Sequence, residues 1–173
     1  MFKTIIVADD MTGANVSSSL MAKNGIKVGS LIDSSNLEKY KDFGAFGVHT
    51  DSRGISPEEA YQRVYKAVKE LDTIQVHFFN KRIDSTLRGN IGKEIDGMLD
   101  ALNNGETAIV VSAFPSSGKI VVGGNMLVNG KLLEKTDVAN DPTSPVTTSV
   151  VHSIIEKQTK NNTVMILINA FLG

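Results

Sequence analysis

Short apolar runs alternate with helix-like patterns along most of the chain. Compact apolar runs bounded by polar or glycine residues predict buried strands, and apolar residues that recur every three or four positions predict helices. The predicted strands are residues 4–8, 27–32, 44–49, 74–79, 107–111 and 164–168. The predicted helices are residues 14–23, 57–71, 91–102 and 146–160. This alternation predicts a three-layer α/β fold, with a mostly parallel sheet and helices on both faces.

Two of these helices are indicated most clearly. Before residues 57–71, Ser56 can cap the helix, Pro57 suits its first position, and Glu59 completes a capping box. Its predicted inward positions are Ala60, Val64, Ala67, Val68 and Leu71. Those of the helix over residues 91–102 are Ile91, Ile95, Met98, Leu99 and Leu102.

The pattern changes in the last third of the chain. Asn129 and Gly130 stand between the apolar runs 126–128 and 132–133. An Asn-Gly pair between apolar runs is typical of a tight hairpin turn. We therefore predict a small β-hairpin inserted into the α/β fold.

Composition narrows the chemistry. The chain has 173 residues, 18 Lys and Arg against 19 Asp and Glu, and no Cys. This length suits one domain, and a near-neutral charge without a basic stripe argues against a nucleic-acid partner. The lack of Cys excludes disulfide scaffolds, cysteine-ligated metals and thiol catalysis. The three His residues lack metal-ligand spacing, so we predict no metal site.

Targeting segments are not predicted either. The first apolar run, residues 5–8, stops at Asp9, which is too soon for the core of a signal peptide. No apolar run approaches the length of about 18 residues that a membrane helix needs. We therefore expect no membrane association and a cytoplasmic location.

In a parallel α/β sheet, ligands bind where the strands end, so the loops after the strands are the places to look. The first loop carries Asp9, Asp10 and Thr12. Adjacent carboxylates are best tolerated where they hold a cation or orient hydroxyl groups. The alternative is a helix cap by Asp10 or Thr12 beside one solvated acid.

The second and third loops add cations. Ser52 and Arg53 follow the third strand, and an Arg beside small hydroxyl residues suits a carboxylate or phosphate. A surface turn with a structural Arg explains that loop equally well. The third loop precedes a helix, whose free N–H groups favour anions, although a solvated basic turn is the alternative. Its candidate residues are Lys81, Asp84, Ser85, Arg88 and Asn90.

The fourth loop contains a Gly118-Lys119 pair, which invites comparison with a phosphate-binding loop. That motif requires Gly where Ala113 stands and Ser or Thr where Ile120 stands. The fourth loop therefore does not predict a nucleotide site.

Taken together, the loops resemble the amino-terminal domain of the four-carbon acid sugar kinase family, over roughly residues 4 to 150. The segment from Ile83 to Gly92 is the most specific part of the resemblance. The matching segments are residues 8–15, 51–53 with 57–60, 81–92, 113–115, Gly124, 128–130 and 141–146.

The resemblance implies a function for the whole of residues 1–173 as a sugar-acid-binding domain. Members of the family phosphorylate threonate, erythronate or their 3-oxo relatives, and the resemblance implies ATP and Mg²⁺ as cofactors. It also implies a separate carboxy-terminal ATP-binding domain, without which this chain is expected to be inactive. The sequence leaves the sugar acid, the phosphorylated hydroxyl and a homodimer open.

The resemblance also assigns roles to the loop residues. Arg53, Lys81 and Arg88 are candidate partners of a carboxylate or phosphate. Asp10, Asp84, Ser85 and Asn90 are candidate partners of the sugar hydroxyls, and Asp10 and Asp84 are the candidate catalytic acids. Asp9, Thr12 and Ser52 complete the predicted substrate-binding set.

Two other functions are compatible with parts of the sequence. In a response-regulator receiver domain, an acidic pair after the first strand accompanies a phospho-acceptor acid, here Asp51, and a later lysine, here Lys119. This interpretation leaves residues 84–92 and the Asn129-Gly130 hairpin unexplained. The other alternative is a binding module without catalysis.

Overall fold

The structure is a computed structural model that describes residues 4–31, 42–72 and 76–167. Its first part contains the strands and helices β1 (Thr4–Ala8), α1 (Met11–Lys23), β2 (Val28–Leu31), β3 (Ala45–His49), α2 (Pro57–Leu71), β4 (Phe78–Arg82) and α3 (Ile91–Leu102). Its second part contains β5 (Lys119–Val122), β6 (Asn125–Val128), β7 (Lys131–Leu132) and α4 (Val151–Glu156). Short 3₁₀ turns occupy Pro115–Ser117, Leu133–Lys135 and Asp137–Asn140.

The main sheet has the strand order β2-β3-β1-β4, and all its strand pairs are parallel. Alternate residues of a strand point to opposite faces. Ile5, Val7 and Phe46 pack with α2 and α3 on one face, whereas Gly47 lies against α1 on the other face. The predicted three-layer fold with helices on both faces of a mostly parallel sheet is therefore confirmed.

The helix starts follow their caps. The Ser56 side chain accepts a hydrogen bond from the Glu59 backbone N–H, and the Glu59 carboxylate accepts one from the Ser56 backbone N–H, so the capping box of α2 is confirmed. Asp10 caps α1 through the backbone of Gly13, so α1 begins at Met11 and not at residue 14. The predicted end of this helix at residue 23 is confirmed, because α1 ends at Lys23.

The predicted hairpin turn at Asn129 and Gly130 joins β6 to β7 in a separate antiparallel sheet of order β5-β6-β7. A second apolar core holds this sheet to α3 and α4. It contains Leu87, Ile91, Ile95, Met126, Leu133, Val146, Ile154 and Ile155. The same core packs under the β4–α3 loop at Leu87 and so supports the loop that carries Asp84 and Arg88.

Several predicted boundaries are wrong. The strand predicted over 74–79 is shifted, because β4 spans Phe78–Arg82 and the described residues 76 and 77 precede it; residues 73–75 lie outside the described residues. The helix predicted over 146–160 spans only Val151–Glu156. The strands predicted over 107–111 and 164–168 do not form within the described residues, and Ile109 is 88% exposed. A strand requires a neighbour that accepts its backbone hydrogen bonds, and no described strand pairs with either segment.

The predicted inward positions hold at most places. Ala60, Val64, Val68 and Leu71 of α2 are buried, and so are Ile91, Ile95 and Met98 of α3. Ala67, Leu99 and Leu102 are only half-buried. Within the described residues, no helix is both long and apolar enough to cross a membrane.

Candidate functional site

The strand order predicts a crevice at the carboxyl ends of β1 and β3. From β1 the chain passes through α1 to β2, which lies at one edge of the sheet. From β3 it passes through α2 to β4, which lies at the opposite edge. Neighbouring strands whose connections leave in opposite directions form a topological switch point, where open α/β sheets bind their ligands. The loops that carry Asp9, Asp10 and Arg53 begin at this point.

Arg53 joins three of the polar loops. Its Nε lies 2.6 Å from Oδ2 of Asp9, and its Nη2 lies 2.8 Å from Oδ2 of Asp10 and 3.6 Å from Oδ1 of Asp84. Burial by itself lowers the pKa of Arg53, but the hydrogen bond and charge of Asp9 outweigh it and raise that pKa. Because the Arg53 side chain remains 25% exposed, a ligand can still reach it.

The two acids after β1 have different environments. Asp9 is 3% exposed, and no described residue donates a hydrogen bond to its buried Oδ1. Asp10 is more exposed, and its Oδ1 accepts from the backbone N–H of Gly13 at 2.6 Å. A buried carboxylate oxygen without a partner is costly, so Oδ1 of Asp9 needs a hydrogen-bond donor that the described residues do not supply.

Asp84 lies at the centre of the third loop. Nε and Nη2 of Arg88 lie 2.9 and 3.0 Å from its two carboxylate oxygens, and the Thr86 hydroxyl lies at 2.6 Å. Burial alone raises the pKa of Asp84, but the hydrogen bonds from Arg88 and Thr86 outweigh it and hold that pKa well below its usual range. Asp84 is therefore ionised and strongly bonded at neutral pH.

Arg88 extends this network to the loop that precedes α4. Its Nη1 donates to Oδ2 of Asp141 at 3.1 Å, and Asp141 also accepts from the backbone of Thr143 and Ser144. The hydrogen bond to Asp84 is the main cause that raises the pKa of Arg88. Asp141 was not among the predicted site residues, although it begins the segment 141–146 of the family resemblance.

Ser52 and Asn90 hold the loop that carries Arg53. Ser52 is fully buried, and its backbone carbonyl accepts from the Asn90 amide at 2.9 Å. The same Asn90 amide donates to the carbonyl of Ile55 at 2.9 Å. Gly89 has a φ of 90°, and a Cβ there would lie 3.0 Å from Cγ of Arg53. The third loop can therefore approach Arg53 closely only because residue 89 is glycine.

Lys81 faces away from this crevice. It lies opposite Val7 in the β1–β4 register and therefore points to the face covered by α2 and α3. Its Nζ lies 2.8 Å from Oε2 of Glu94, and the two side chains are only 6% and 1% exposed. Oε1 of Glu94 accepts from the Ser52 hydroxyl at 2.5 Å.

Sequence reasoning missed Glu94, although a signal for it exists. Glu94 comes three residues after Ile91 and four before Met98, so helical spacing places it on the buried face of α3. A carboxylate on that face must find a buried cation or donor.

Two predicted site residues lie apart from the Arg53 network. Thr12 is exposed on the first turn of α1. Ser85 lines a cavity of about 420 Å³ between α1 and β4, with Val16, Leu20, Arg82 and Phe114 among its other walls. The structure thus brings together Asp9, Asp10, Arg53, Asp84 and Arg88, places Ser52, Lys81 and Asn90 behind them, and leaves Thr12 and Ser85 outside.

Relatives of the chain are found in sequence and in structure. A D-erythronate kinase from Heliobacterium modesticaldum is 46% identical over 94% of the chain, and a D-threonate kinase from Salmonella typhimurium is 31% identical over 91%. The chain spans only 37% of the length of each.

A crystal structure from Bordetella bronchiseptica has the same fold. It superposes with a TM-score of 0.82 at 29% identity, over 88% of this chain and 39% of that one. It is described as a domain of unknown function with bound citrate in a domain-swapped dimer. The model of the family described as the sugar-binding N-terminal domain matches residues 4–171. The chain therefore belongs to the family of sugar-binding N-terminal domains that its kinase relatives also contain.

Proposed function

We propose that this chain is the sugar-acid-binding domain of an ATP-dependent kinase that acts on a four-carbon sugar acid of the erythronate, threonate or 3-oxo-tetronate type. The observation that carries the proposal is the placement of Arg53 among Asp9, Asp10 and Asp84 at the switch point. The similarity to D-erythronate and D-threonate kinases supports the choice of substrate class.

The chemistry of the crevice suits a polyhydroxy acid. A sugar acid carries one carboxylate and several hydroxyl groups, and Arg53 offers the exposed cation that a carboxylate needs. Oδ1 of Asp9 offers a buried acceptor for a hydroxyl. Asp84 binds Arg88 and Thr86 with both oxygens engaged, so its part is to orient the cations and not to accept a proton.

Within this proposal, Asp9 is the residue that fixes a substrate hydroxyl. Phosphoryl transfer depends mainly on positioning and on charge neutralisation. An acidic side chain that accepts the proton of the attacking hydroxyl group turns this hydroxyl into the nucleophile. Arg53 holds the carboxyl end of the same substrate, so the two residues together fix its orientation.

ATP and Mg²⁺ belong to another part of the kinase in this proposal. Within residues 4–31, 42–72 and 76–167, no three His, Asp or Glu side chains are arranged to hold a metal ion. The fourth loop also lacks the residues of a phosphate-binding loop. The relatives are longer than this chain, and we place the Mg-ATP site in a partner domain that accounts for their remaining length.

Ligand binding tests the proposal directly. We expect D-erythronate, D-threonate or one of their 3-oxo forms to raise the melting temperature of the chain, because a ligand that binds only the folded state stabilises it. Butyrate, which has four carbons and a carboxylate but no hydroxyl groups, is the matched control and should give no shift. If none of the sugar acids shifts the melting temperature or gives heat in calorimetry, the proposed substrate class is wrong.

Complementation tests the division of labour. The chain alone with ATP, Mg²⁺ and the bound sugar acid should release no ADP. Addition of the part of the Heliobacterium D-erythronate kinase that follows its matched domain should start turnover. Turnover by the chain alone would show that it binds ATP itself.

The receiver-domain alternative has little support. Asp51 is 67% exposed and lies 3.6 Å from His49, and the acidic pair contacts Arg53. Treatment with acetyl phosphate followed by mass spectrometry should leave Asp51 unmodified.

A homodimer and a cytoplasmic location stay predictions, and sedimentation with and without the sugar acid tests the former.

A further inference from the structure

The end of β4 and the loop after β3 meet beneath the candidate site at one buried carboxylate. Glu94 of α3 is 1% exposed, and its two oxygens have different partners. Oε2 lies 2.8 Å from Nζ of Lys81, and Oε1 accepts from the Ser52 hydroxyl at 2.5 Å. Glu94 thus connects the last residues of β4 with the residue that precedes Arg53.

We propose that Glu94 is a positioning residue of the sugar-acid site, which fixes the Ser52–Arg53 segment from below; the proposal rests on the function proposed above. Ser52 is the pivot of this arrangement. Its hydroxyl also lies 2.7 Å from that of Thr50, which donates to the carbonyl of Ala8 at 3.0 Å. The backbone N–H of Ser52 donates to the carbonyl of Asp9 at 3.0 Å. Glu94 therefore acts on the same short segment that aligns Arg53 with Asp9.

Stability alone does not explain a charge in this place. Removing two ions from water costs several kcal/mol per ion, and apolar residues of similar volume often serve a core equally well or better. The Lys81–Glu94 pair instead fixes direction, because a short charge-assisted hydrogen bond tolerates little displacement of the Ser52 hydroxyl. A displacement of Arg53 by about 1 Å is enough to weaken an oriented site substantially.

The same helix offers a matched control. Asp96 is also fully buried on α3, but it faces away from the site and accepts hydrogen bonds from the Thr159 hydroxyl, the Lys160 backbone and the Asn161 amide. Glu94→Gln and Asp96→Asn each remove one buried negative charge and keep the shape of the side chain. Both variants should lose stability, and only the first should change the site.

The first measurement is affinity. We expect Glu94→Gln to raise the Kd of the sugar acid at least tenfold by calorimetry at a temperature where the variant is fully folded. Asp96→Asn should leave Kd within about twofold of the unaltered chain. Equal Kd values for the two variants, whether both weakened or both unchanged, would overturn the positioning role.

The second measurement needs no ligand and so separates this proposal from the proposed function. The side-chain Nε–H resonance of Arg53, assigned by its loss in Arg53→Lys, reports the hydrogen bond to Asp9 in nitrogen-correlated NMR spectra. It should shift or broaden in Glu94→Gln and stay in place in Asp96→Asn. An unmoved resonance in Glu94→Gln overturns the positioning role even if the sugar acids bind, whereas absence of sugar-acid binding by the unaltered chain overturns only the proposed function.

A double variant separates positioning from folding. The double variant Lys81→Met with Glu94→Leu removes both buried ions, so its melting temperature should recover relative to Glu94→Gln. The Ser52 hydroxyl still lacks its carboxylate acceptor, and both the Kd and the Arg53 resonance should remain altered. Recovery of Kd along with the melting temperature would show that Glu94 serves only the fold.

Discussion

The Nε atom of Arg53 lies 2.6 Å from Oδ2 of Asp9, and this contact ties the loop after β3 to the end of β1. Asp9 is 3% exposed and its partner is 25% exposed, so the pair lies at the boundary between the core and the crevice. A buried carboxylate depends on such a cation, because burial without one is strongly unfavourable.

The first prediction concerns the planar fork of Arg53. Arg53→Lys keeps the charge, but a lysine cannot reach Asp9 and Asp10 in the two fixed directions of a guanidinium. We expect a loss of about 2 kcal/mol in the free energy of unfolding, and loss of sugar-acid binding. Urea denaturation and calorimetry measure the two effects.

The matched control for this change is Arg63→Lys. Arg63 belongs to α2 and donates to the backbone carbonyls of Thr50 and Asp51, which a lysine can also contact. Its replacement should change stability and Kd little. Comparable losses in both variants would show that the effect is not specific to Arg53.

The second prediction is a pH dependence that follows from Asp84. Its folded-state pKa lies below the ordinary value of 3.8, since the hydrogen bonds from Arg88 and Thr86 outweigh the opposing effect of burial. A carboxyl with a lowered pKa stabilises the fold fully above its unfolded pKa, and loses that contribution as the pH falls toward its folded pKa.

Asp84→Asn should therefore reduce the free energy of unfolding by about 3 kcal/mol at pH 7. The difference from the unaltered chain should shrink as the pH is lowered below about 4, and urea denaturation at pH 7 and pH 3 measures it. Asp51→Asn, at a 67% exposed position, should show a small difference at both values. A difference for Asp84→Asn that is constant with pH would contradict the assignment of a lowered pKa.

The third prediction uses two glycines with similar backbones. Gly89 has a φ of 90° and a Cβ there would contact Arg53, whereas Gly105 has a φ of 77° and a Cβ there would have no neighbour within 4 Å. Gly→Ala at either position introduces left-handed strain of about 1 kcal/mol. Only Gly89→Ala should add a further loss of stability and displace the Arg53 Nε–H resonance. Identical behaviour of the two variants in urea denaturation and NMR would mean that residue 89 does not constrain Arg53.

Much of this site follows from local patterns. The parallel order of short strands brings Asp9, Arg53 and Asp84 to one edge of the sheet, so their meeting could be predicted from their position after strands. The cap at Ser56 and the turn at Asn129 and Gly130 also depend on nearby residues alone, and each formed as predicted.

What could not be predicted depends on contacts between distant residues. The positive charge of Lys81 is typical of an anion ligand, but the alternation of side chains along β4 directs Lys81 toward Glu94 of α3. The helix α4 ends at Glu156. Beyond it, the Thr159 hydroxyl and the Lys160 backbone N–H donate hydrogen bonds to Asp96 of α3, which is distant in the sequence. The apolar run 107–111 predicts a strand. A strand forms only where its backbone pairs with a neighbouring strand, and no described strand pairs with these residues.

The last prediction concerns the unpartnered oxygen of Asp9. If Oδ1 of Asp9 accepts a hydrogen bond from one substrate hydroxyl, Asp9→Asn should weaken sugar-acid binding at least tenfold, because the amide offers fewer acceptor sites and no charge. Asp51→Asn is the comparison, since Asp51 is 67% exposed and lies outside the Arg53 network, and this change should leave sugar-acid binding almost unchanged.

Deoxy analogues identify the hydroxyl itself. The penalty of Asp9→Asn should be present for the full sugar acid and for every monodeoxy analogue that keeps the contacted hydroxyl. It should disappear for the one analogue that lacks this hydroxyl, because the mutation then removes an interaction that the ligand no longer makes. Calorimetric Kd values for the unaltered chain and the variant with each analogue complete the cycle. A penalty of the same size for all analogues would mean that Asp9 acts only through Arg53, and the hydroxyl would then have to bind another residue of the crevice.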